Sequence, residues 1–404
     1  MKPNNDRYIL VIAIILVSCL TIAIIAISVA DSVIKPSAKN SATVAIKGNG
    51  NASSVFDFPA DHLLHRPSSV VANTSDFIEW LYWTGSLREI KTGNLYGFQY
   101  TLFHQNLGPG IMGYVDHVAV SDVFNSQHPR NRYFVLPNQT EITNGTDAKK
   151  GDYWRYKDSQ TTLTYWKALD AWNIVSNGNV SNDGGHGHNI SMNLTLTNDK
   201  YGYFLEWPNG TGSMGACASI DPKSMVGKSY YYSHPAMNTT GTLSIDGREV
   251  KVWGDSWFDH QWGGFNNCYP AWDWFSMRLD NGSFLMLFNF KDDTHNDLPD
   301  QRSLTYVDSE GNVRWWHGKD AANLTFTRLW TSDRFGFTYP LDWILSTPMG
   351  NYAVEPYFDE QTMNTANGEP KYWEGIVRIR AGNHTGKQIG LGYMELAGYA
   401  PIFS

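Results

Sequence analysis

The chain has 404 residues, 42% of them hydrophobic, 17% charged and 14% aromatic, with a formal net charge of -8. The 16 Trp and 22 Tyr among so few charges suit strands and argue against a helical bundle. An acidic balance without a Lys/Arg run cannot neutralise a phosphate backbone, so nucleic acid is not an expected partner.

From the start of the chain, Tyr8 to Ala30 (YILVIAIILVSCLTIAIIAISVA) contains no charged side chain. As a helix rising 1.5 Å per residue it is long enough for a bilayer core of ~30 Å. Residues 1–30 are therefore a membrane anchor or signal segment. The length favours an anchor, while Ser28-Val29-Ala30 keeps signal cleavage open. Sequons at Asn51, Asn73, Asn138, Asn144, Asn179, Asn189, Asn193, Asn209, Asn238, Asn281, Asn323 and Asn383 fit a glycosylated body outside the membrane. Cys19 lies in the apolar run, which leaves Cys217 and Cys268 as an even pair in the exported part. A disulfide and two buried thiols are both open there.

Residues 31–70 are rich in Ser, Ala, Asn and Lys without periodicity and read as a flexible stalk. Beyond it, short apolar or alternating runs are punctuated by Asp246-Gly247, Asn281-Gly282, Glu310-Gly311-Asn312 and Asn367-Gly368. Such dipeptides mark hairpins. In Tyr96 to Leu102, Tyr96, Phe98, Tyr100 and Leu102 share one face, as period two requires. The segment Glu79 to Leu87 (EWLYWTGSL) is echoed by Ala271 to Leu279 (AWDWFSMRL), which suggests a duplicated antiparallel unit. The expected fold is all-β, with domains at 71–265 and 266–404.

The densest chemistry lies in Gly254 to Gly263 (GDSWFDHQWG) and Trp272 to Phe275 (WDWF). On extended strands Asp259 and Gln261 face opposite to Phe258, His260 and Trp262, and Trp272 and Trp274 face opposite to Asp273. His186-Gly187-His188 lacks matching ligand spacing and reads as a surface loop, so no metal is expected. No phosphate loop and no Gly-x-Ser-x-Gly elbow are present, and no cofactor is expected. Glu374 and Glu395 are further carboxylates for which a glycosidase-like pair and a structural role both stay open.

These runs, together with YGFQYTLF from Tyr96, DHVAVSD from Asp116, SYYYSHP from Ser229, YWEG from Tyr372 and GLGYMELAGY from Gly390, resemble the carotenoid 1,2-hydratase (hydroxyneurosporene synthase) family and its AttH-like, lipocalin-like relatives. The matching stretches fall in family order over nearly everything after the stalk. The resemblance implies two consecutive lipocalin-like β-barrel domains with a cavity for a hydrophobic small molecule, a terpenoid, polyene or lipid. It also implies a hydratase, or a cyclase of the Diels-Alderase type. Carried over residue by residue, Asp273 is the implied proton donor with His260 beside it. Asp259, Trp262, Trp272, Trp274, Trp83 and Tyr231 are the implied ligand-binding residues. Leu81, Ser86 and Gln261 depart from the family's usual residues.

Hydrating an isolated alkene requires protonation of carbon and passage through a carbocation. A carboxylic acid among Trp rings is desolvated and stays protonated near neutrality. Each ring face stabilises the cation by about 1 to 2 kcal/mol. A non-catalytic lipid or pigment carrier and a carbohydrate-binding ectodomain remain rival readings, because buried or exposed Trp serves either.

Overall fold

The computed structural model describes residues 56–65, 77–108, 111–178, 188–198, 204–205, 213–214, 229–264, 271–292, 294–363 and 371–399. The described residues form strands joined by turns and by short 3-10 segments such as Ala60–His62, Pro137–Gln139 and Gly318–Asp320. No helix among them is long and apolar enough to cross a membrane. The run Tyr8 to Ala30 and the pair Cys217 and Cys268 lie outside the described residues.

The first sheet contains β1 (Phe77–Glu89), β2 (Leu95–Gly108), β3 (Ile111–Asp122), β4 (Arg130–Val135), β5 (Glu141–Asp147), β6 (Gly151–Lys157), β7 (Thr161–Trp166), β8 (Ala171–Gly178), β9 (Ile190–Asn198), β10 (Phe204–Leu205), β11 (Ser213–Met214), β12 (Ser229–Ile245) and β13 (Arg248–Gly264). The second contains β14 (Ala271–Leu279), β15 (Phe284–Lys291), β16 (Ser303–Val307), β17 (Val313–His317), β18 (Asn323–Thr331), β19 (Thr338–Thr347), β20 (Gly350–Pro356), β21 (Thr362–Met363), β22 (Tyr372–Ala381) and β23 (Gln388–Ala397).

Each sheet is a meander whose first strand pairs with its last, β1 with β13 and β14 with β23, and whose ladders are antiparallel. The two aromatic segments that echo each other in sequence are these two opening strands. The register explains the turns as well. Asp246 (φ 50°) and Gly247 (φ 81°) both sit in the left-handed region and join β12 to β13, as a type I′ hairpin demands.

The sheets curl without closing. The first ends at β4 on one edge and β5 on the other, and the second at β17 and β18. The expected barrels are thus lipocalin-like half-barrels. In both, a 3-10 turn carries the chain across the gap, Pro137–Gln139 in the first and Gly318–Asp320 in the second. Pro137 has no N–H to extend a ladder there.

Alternation divides each opening strand between two environments. In the first sheet Leu81, Trp83, Phe258 and Trp262 face its own hollow core, while Tyr82 and Trp257 turn outward onto Trp274, Ile376 and Tyr393 of the second sheet. Gly97 permits that approach, since a Cβ there would lie 2.6 Å from the Tyr393 hydroxyl. Part of the expected stalk is instead folded. Phe56 and His62 are buried, Phe56 packs edge-on against Tyr232 and Trp262, and His65 stacks on Trp262 at 4.0 Å. Two Phe and two His in this strap supply apolar and ring surface that the Ser/Asn-rich composition around them obscured.

Candidate functional site

A cavity of about 170 Å³ opens where the two sheets meet. That is room for on the order of ten waters or for part of an organic ligand. Outward residues of β1, β2, β12 and β13 line it from the first sheet, including Trp80, Gln99, Tyr231, Asp259 and Gln261. From the second come Trp272, Trp274, Phe288, Phe290, Tyr372 and Glu395. The lining is largely aromatic, as expected of a site for an apolar ligand.

Among these rings stand acids. Asp259 accepts hydrogen bonds from the Tyr231 hydroxyl (2.5 Å), the Trp257 indole N–H (2.5 Å) and the Ser233 hydroxyl. Burial nevertheless outweighs these donors and pushes its pKa up to about 7. Glu395 is pushed up to about 8, chiefly by burial, against a hydrogen bond from Trp272. Its cross-strand neighbour Glu374, wholly buried, is also held well above the usual carboxylate range by burial and by Glu395. The Tyr82 hydroxyl donates to Glu374 Oε1 at 2.6 Å, and Oε2 has no hydrogen-bond partner among the described residues. The Asp259 charge raises both glutamates. The three carboxyls therefore hold protons at neutral pH in common, because low dielectric and mutual repulsion disfavour full ionisation.

A second polar group lines the same cavity. His117 Nδ1 lies 2.6 Å from the Tyr372 hydroxyl, which also accepts from Gln99 Nε2 at 3.0 Å. Burial, with help from Arg132, lowers the His117 pKa to about 3 and keeps the ring neutral.

The residues expected from sequence divide three ways. Asp259, Tyr231, Trp272 and Trp274 meet in the cavity. His260, Trp262 and Trp83 point into the core of the first sheet, where Trp83 stacks on Phe258 at 4.6 Å. Asp273, on the opposite face of β14 from Trp272 and Trp274, does not line the cavity. It accepts from Tyr399 (2.5 Å) and Asn289 (2.8 Å) and pairs with Lys291 at 3.2 Å. Burial raises its pKa and Lys291 opposes the rise. Gln99, His117 and Tyr372 were missed in the sequence. Their signal was parity along β2, β3 and β22, legible only once register is known.

His260 belongs to a different cluster. Inside the first sheet the fully buried Glu79 carboxylate meets His65 Nδ1 at 2.6 Å, His260 Nε2 at 2.9 Å and His104 Nδ1 at 3.1 Å. These contacts hold Glu79 well below the carboxylate range against burial. His65 is raised to about 9 by Asp61 and Glu79, although burial opposes it.

Two curled antiparallel sheets with matching strand order and an aromatic cavity between them define a duplicated lipocalin-like protein. Residues 49–399 match the AttH-like family model, and the chain belongs to that family. The chain is 22% identical to kievitone hydratase from Fusarium solani subsp. phaseoli over 275 residues, 66% of this chain and 69% of the relative. Its fold is similar to the crystal structure of a putative AttH from Nitrosomonas europaea, with a TM-score of 0.67 and 24% identity, covering 85% of this chain and 97% of that one. It is similar also to the kievitone hydratase structure from Nectria haematococca, with a TM-score of 0.57 and 16% identity over 80% and 89%.

Proposed function

We propose that the protein protonates an isolated C=C bond of a hydrophobic terpenoid or polyene in the inter-sheet cavity and adds water to it, in the manner of a carotenoid 1,2-hydratase. The observation that carries this reading is the placement of two carboxyls that titrate near neutrality, Asp259 and Glu395, among the Trp rings of one cavity. A carbon acid step needs a protonated donor, and a carboxyl with its pKa near the working pH is such a donor. The relationship to a hydratase supports the same reaction class.

In the proposed reaction the Glu395 O–H bond breaks as a C–H bond forms on one alkene carbon, and the other carbon becomes cationic. Trp272 and Trp274 face that charge. Water adds to the cation and returns one proton to a carboxylate, Asp259 or Glu395, so the sum is alkene plus water giving a tertiary alcohol. If carbon rather than water captures the cation, the same site cyclises its substrate.

The test offers acyclic polyenes and terpenoid alkenes to the wild type and to Glu395→Gln. Turnover should fall at least about 100-fold while binding persists. In heavy water, deuterium should appear on the carbon next to the one that gains hydroxyl. Equal turnover would remove Glu395 from the reaction. Binding by both proteins with turnover by neither would favour a carrier.

We also propose that this body lies outside a membrane and is tethered through Tyr8 to Ala30. In support, the sequon asparagines among the described residues, Asn138, Asn144, Asn189, Asn193, Asn238, Asn281, Asn323 and Asn383, are all exposed. A mobility shift of the full chain on N-glycan removal tests it, and the absence of any shift from a glycosylating host would count against it.

A further inference from the structure

The cluster around Glu79 plays no part in the proposed reaction. It lies in the first sheet's hollow, on the face of β1 and β13 opposite to the cavity. We propose that His65, Glu79 and His260 form a binding site for a divalent first-row transition ion of the zinc type.

The donor geometry is the first argument. Donor atoms of His65, Glu79 and His260 all lie within 4.8 Å of one another. An ion bound at ~2.1 Å sets its ligands roughly 3 to 3.4 Å apart. The observed separations of 2.6 and 2.9 Å from Glu79 Oε1 to His65 Nδ1 and His260 Nε2 become ligand edges with movements of less than about 1 Å. Two imidazoles with one carboxylate form a donor set that suits Zn²⁺ and its neighbours better than Ca²⁺ or Mg²⁺.

The outer hydrogen bonds are a second and independent argument. The far nitrogen of His65, Nε2, lies 3.3 Å from Asp61 Oδ1, the carboxylate–imidazole pairing that orients metal-bound histidines. The far nitrogen of His260, Nδ1, lies 3.2 Å from the Tyr232 hydroxyl. That hydroxyl also lies 2.8 Å from His62 Nδ1 and donates toward the Asp61 carbonyl at 3.1 Å. The His260 ring is thus held on its far side while its Nε2 faces the Glu79 carboxylate at 2.9 Å, the orientation by which outer partners aim a metal-bound histidine.

The consequence is mechanical. His65 comes from the strap 56–65 and Glu79 and His260 from β1 and β13, so the ion would staple the strap over Trp262, on which His65 already stacks. No metal was expected from sequence because the His residues lie far apart along the chain and only the fold assembles them.

The test uses the full chain, stripped with chelator and titrated with Co²⁺ and with Zn²⁺. The wild type should bind one ion per chain through this site, give visible d–d bands with Co²⁺, and unfold at higher temperature when Zn²⁺ is added. His65→Asn, which leaves both sheets intact, and Glu79→Gln should abolish the bands and the thermal shift. Asp61→Asn should weaken binding about 10-fold or more. A featureless Co²⁺ spectrum in the wild type, or ion binding by His65→Asn as tight as wild type, would overturn the proposal. If Glu79→Gln fails to fold, His65→Asn alone decides.

Discussion

Glu374 on β22 and Glu395 on β23 are direct cross-strand neighbours, and each carboxyl is held above its ordinary pKa by burial. Two carboxylates at that spacing cannot both ionise without large cost, so the pair retains a proton where free glutamate has lost it. The native state is stabilised by being protonated.

The linkage has a definite sign. Glu395 has a native pKa of about 8 against an ordinary glutamate value of 4.5. Below the lower value both folded and unfolded chains hold the proton, and no difference arises. Between the two, the native state binds more protons than the unfolded state, so stability falls as pH rises, by about 1.4 kcal/mol per pH unit. Above about 8 the loss is complete. Denaturant unfolding of Glu395→Gln across this range should therefore show a shallower decline than the wild type. Parallel profiles would mean that Glu395 does not carry the proton.

Much of this arrangement is legible in the sequence. Period-two alternation correctly divided Asp259 and Gln261 from His260 and Trp262, and Trp272 and Trp274 from Asp273. The duplication was visible in two aromatic strands that proved to be topological equivalents. Alternation states only that two residues face apart, however, and not which face meets the partner sheet. Resemblance therefore put the proton donor at Asp273, on the far side of β14. Glu374 and Glu395 stood out in the sequence as carboxylates, but their cross-strand pairing and the place of Glu395 in the cavity wall became legible only with β23 between β14 and β22. The strap was hidden for another reason. A segment of so few residues has no periodicity to detect, and its burial depends on Tyr232 and Trp262, which are distant in the chain.

Trp274 separates packing from chemistry. It is 1% exposed, meets Tyr82 edge-on at 5.5 Å and Trp257 at 6.2 Å, and its indole N–H has no hydrogen-bond partner among the described residues. Trp274→Phe keeps an aromatic face at the cavity wall and sacrifices no hydrogen bond to the described residues. Trp274→Leu removes the π face. If that face stabilises a cation by about 1 to 2 kcal/mol, turnover by Trp274→Leu should drop about 5- to 30-fold below that of Trp274→Phe, with similar ligand affinity. Equal rates would leave the ring as wall alone.

The strap predicts where the folded body begins. Phe56 stacks with Phe58 at 5.7 Å, and Phe58 meets Tyr232 edge-on at 5.0 Å, so removal of the strap uncovers an aromatic surface. A chain started at Ala72 should be less stable than one started before Phe56 by about 2 to 5 kcal/mol, from the burial of Phe56 and the partial burial of Phe58. Equal denaturation midpoints at equal slopes would show that the strap packs without stabilising.

The last prediction concerns Asp273, which its surroundings make a structural anion. Lys291 Nζ lies 3.2 Å from Asp273 and 2.6 Å from Asp297, while Asn289 bridges the two acids and accepts from Arg302. Asp273→Asn keeps the shape and can still accept from Tyr399, but it removes a negative charge facing a nearly buried ammonium. Breaking a buried pair by deleting one partner costs about 3 to 5 kcal/mol, and Asp297, which is partly exposed, still neutralises Lys291 here. A loss of about 2 to 3 kcal/mol is therefore expected, with turnover per folded molecule close to wild type, since Asp273 faces away from the cavity. A double-mutant cycle with Lys291→Met should return part of that loss, because the ammonium then no longer needs a partner. Collapse of turnover in Asp273→Asn at full stability would restore Asp273 as the proton donor and displace Glu395 from that role.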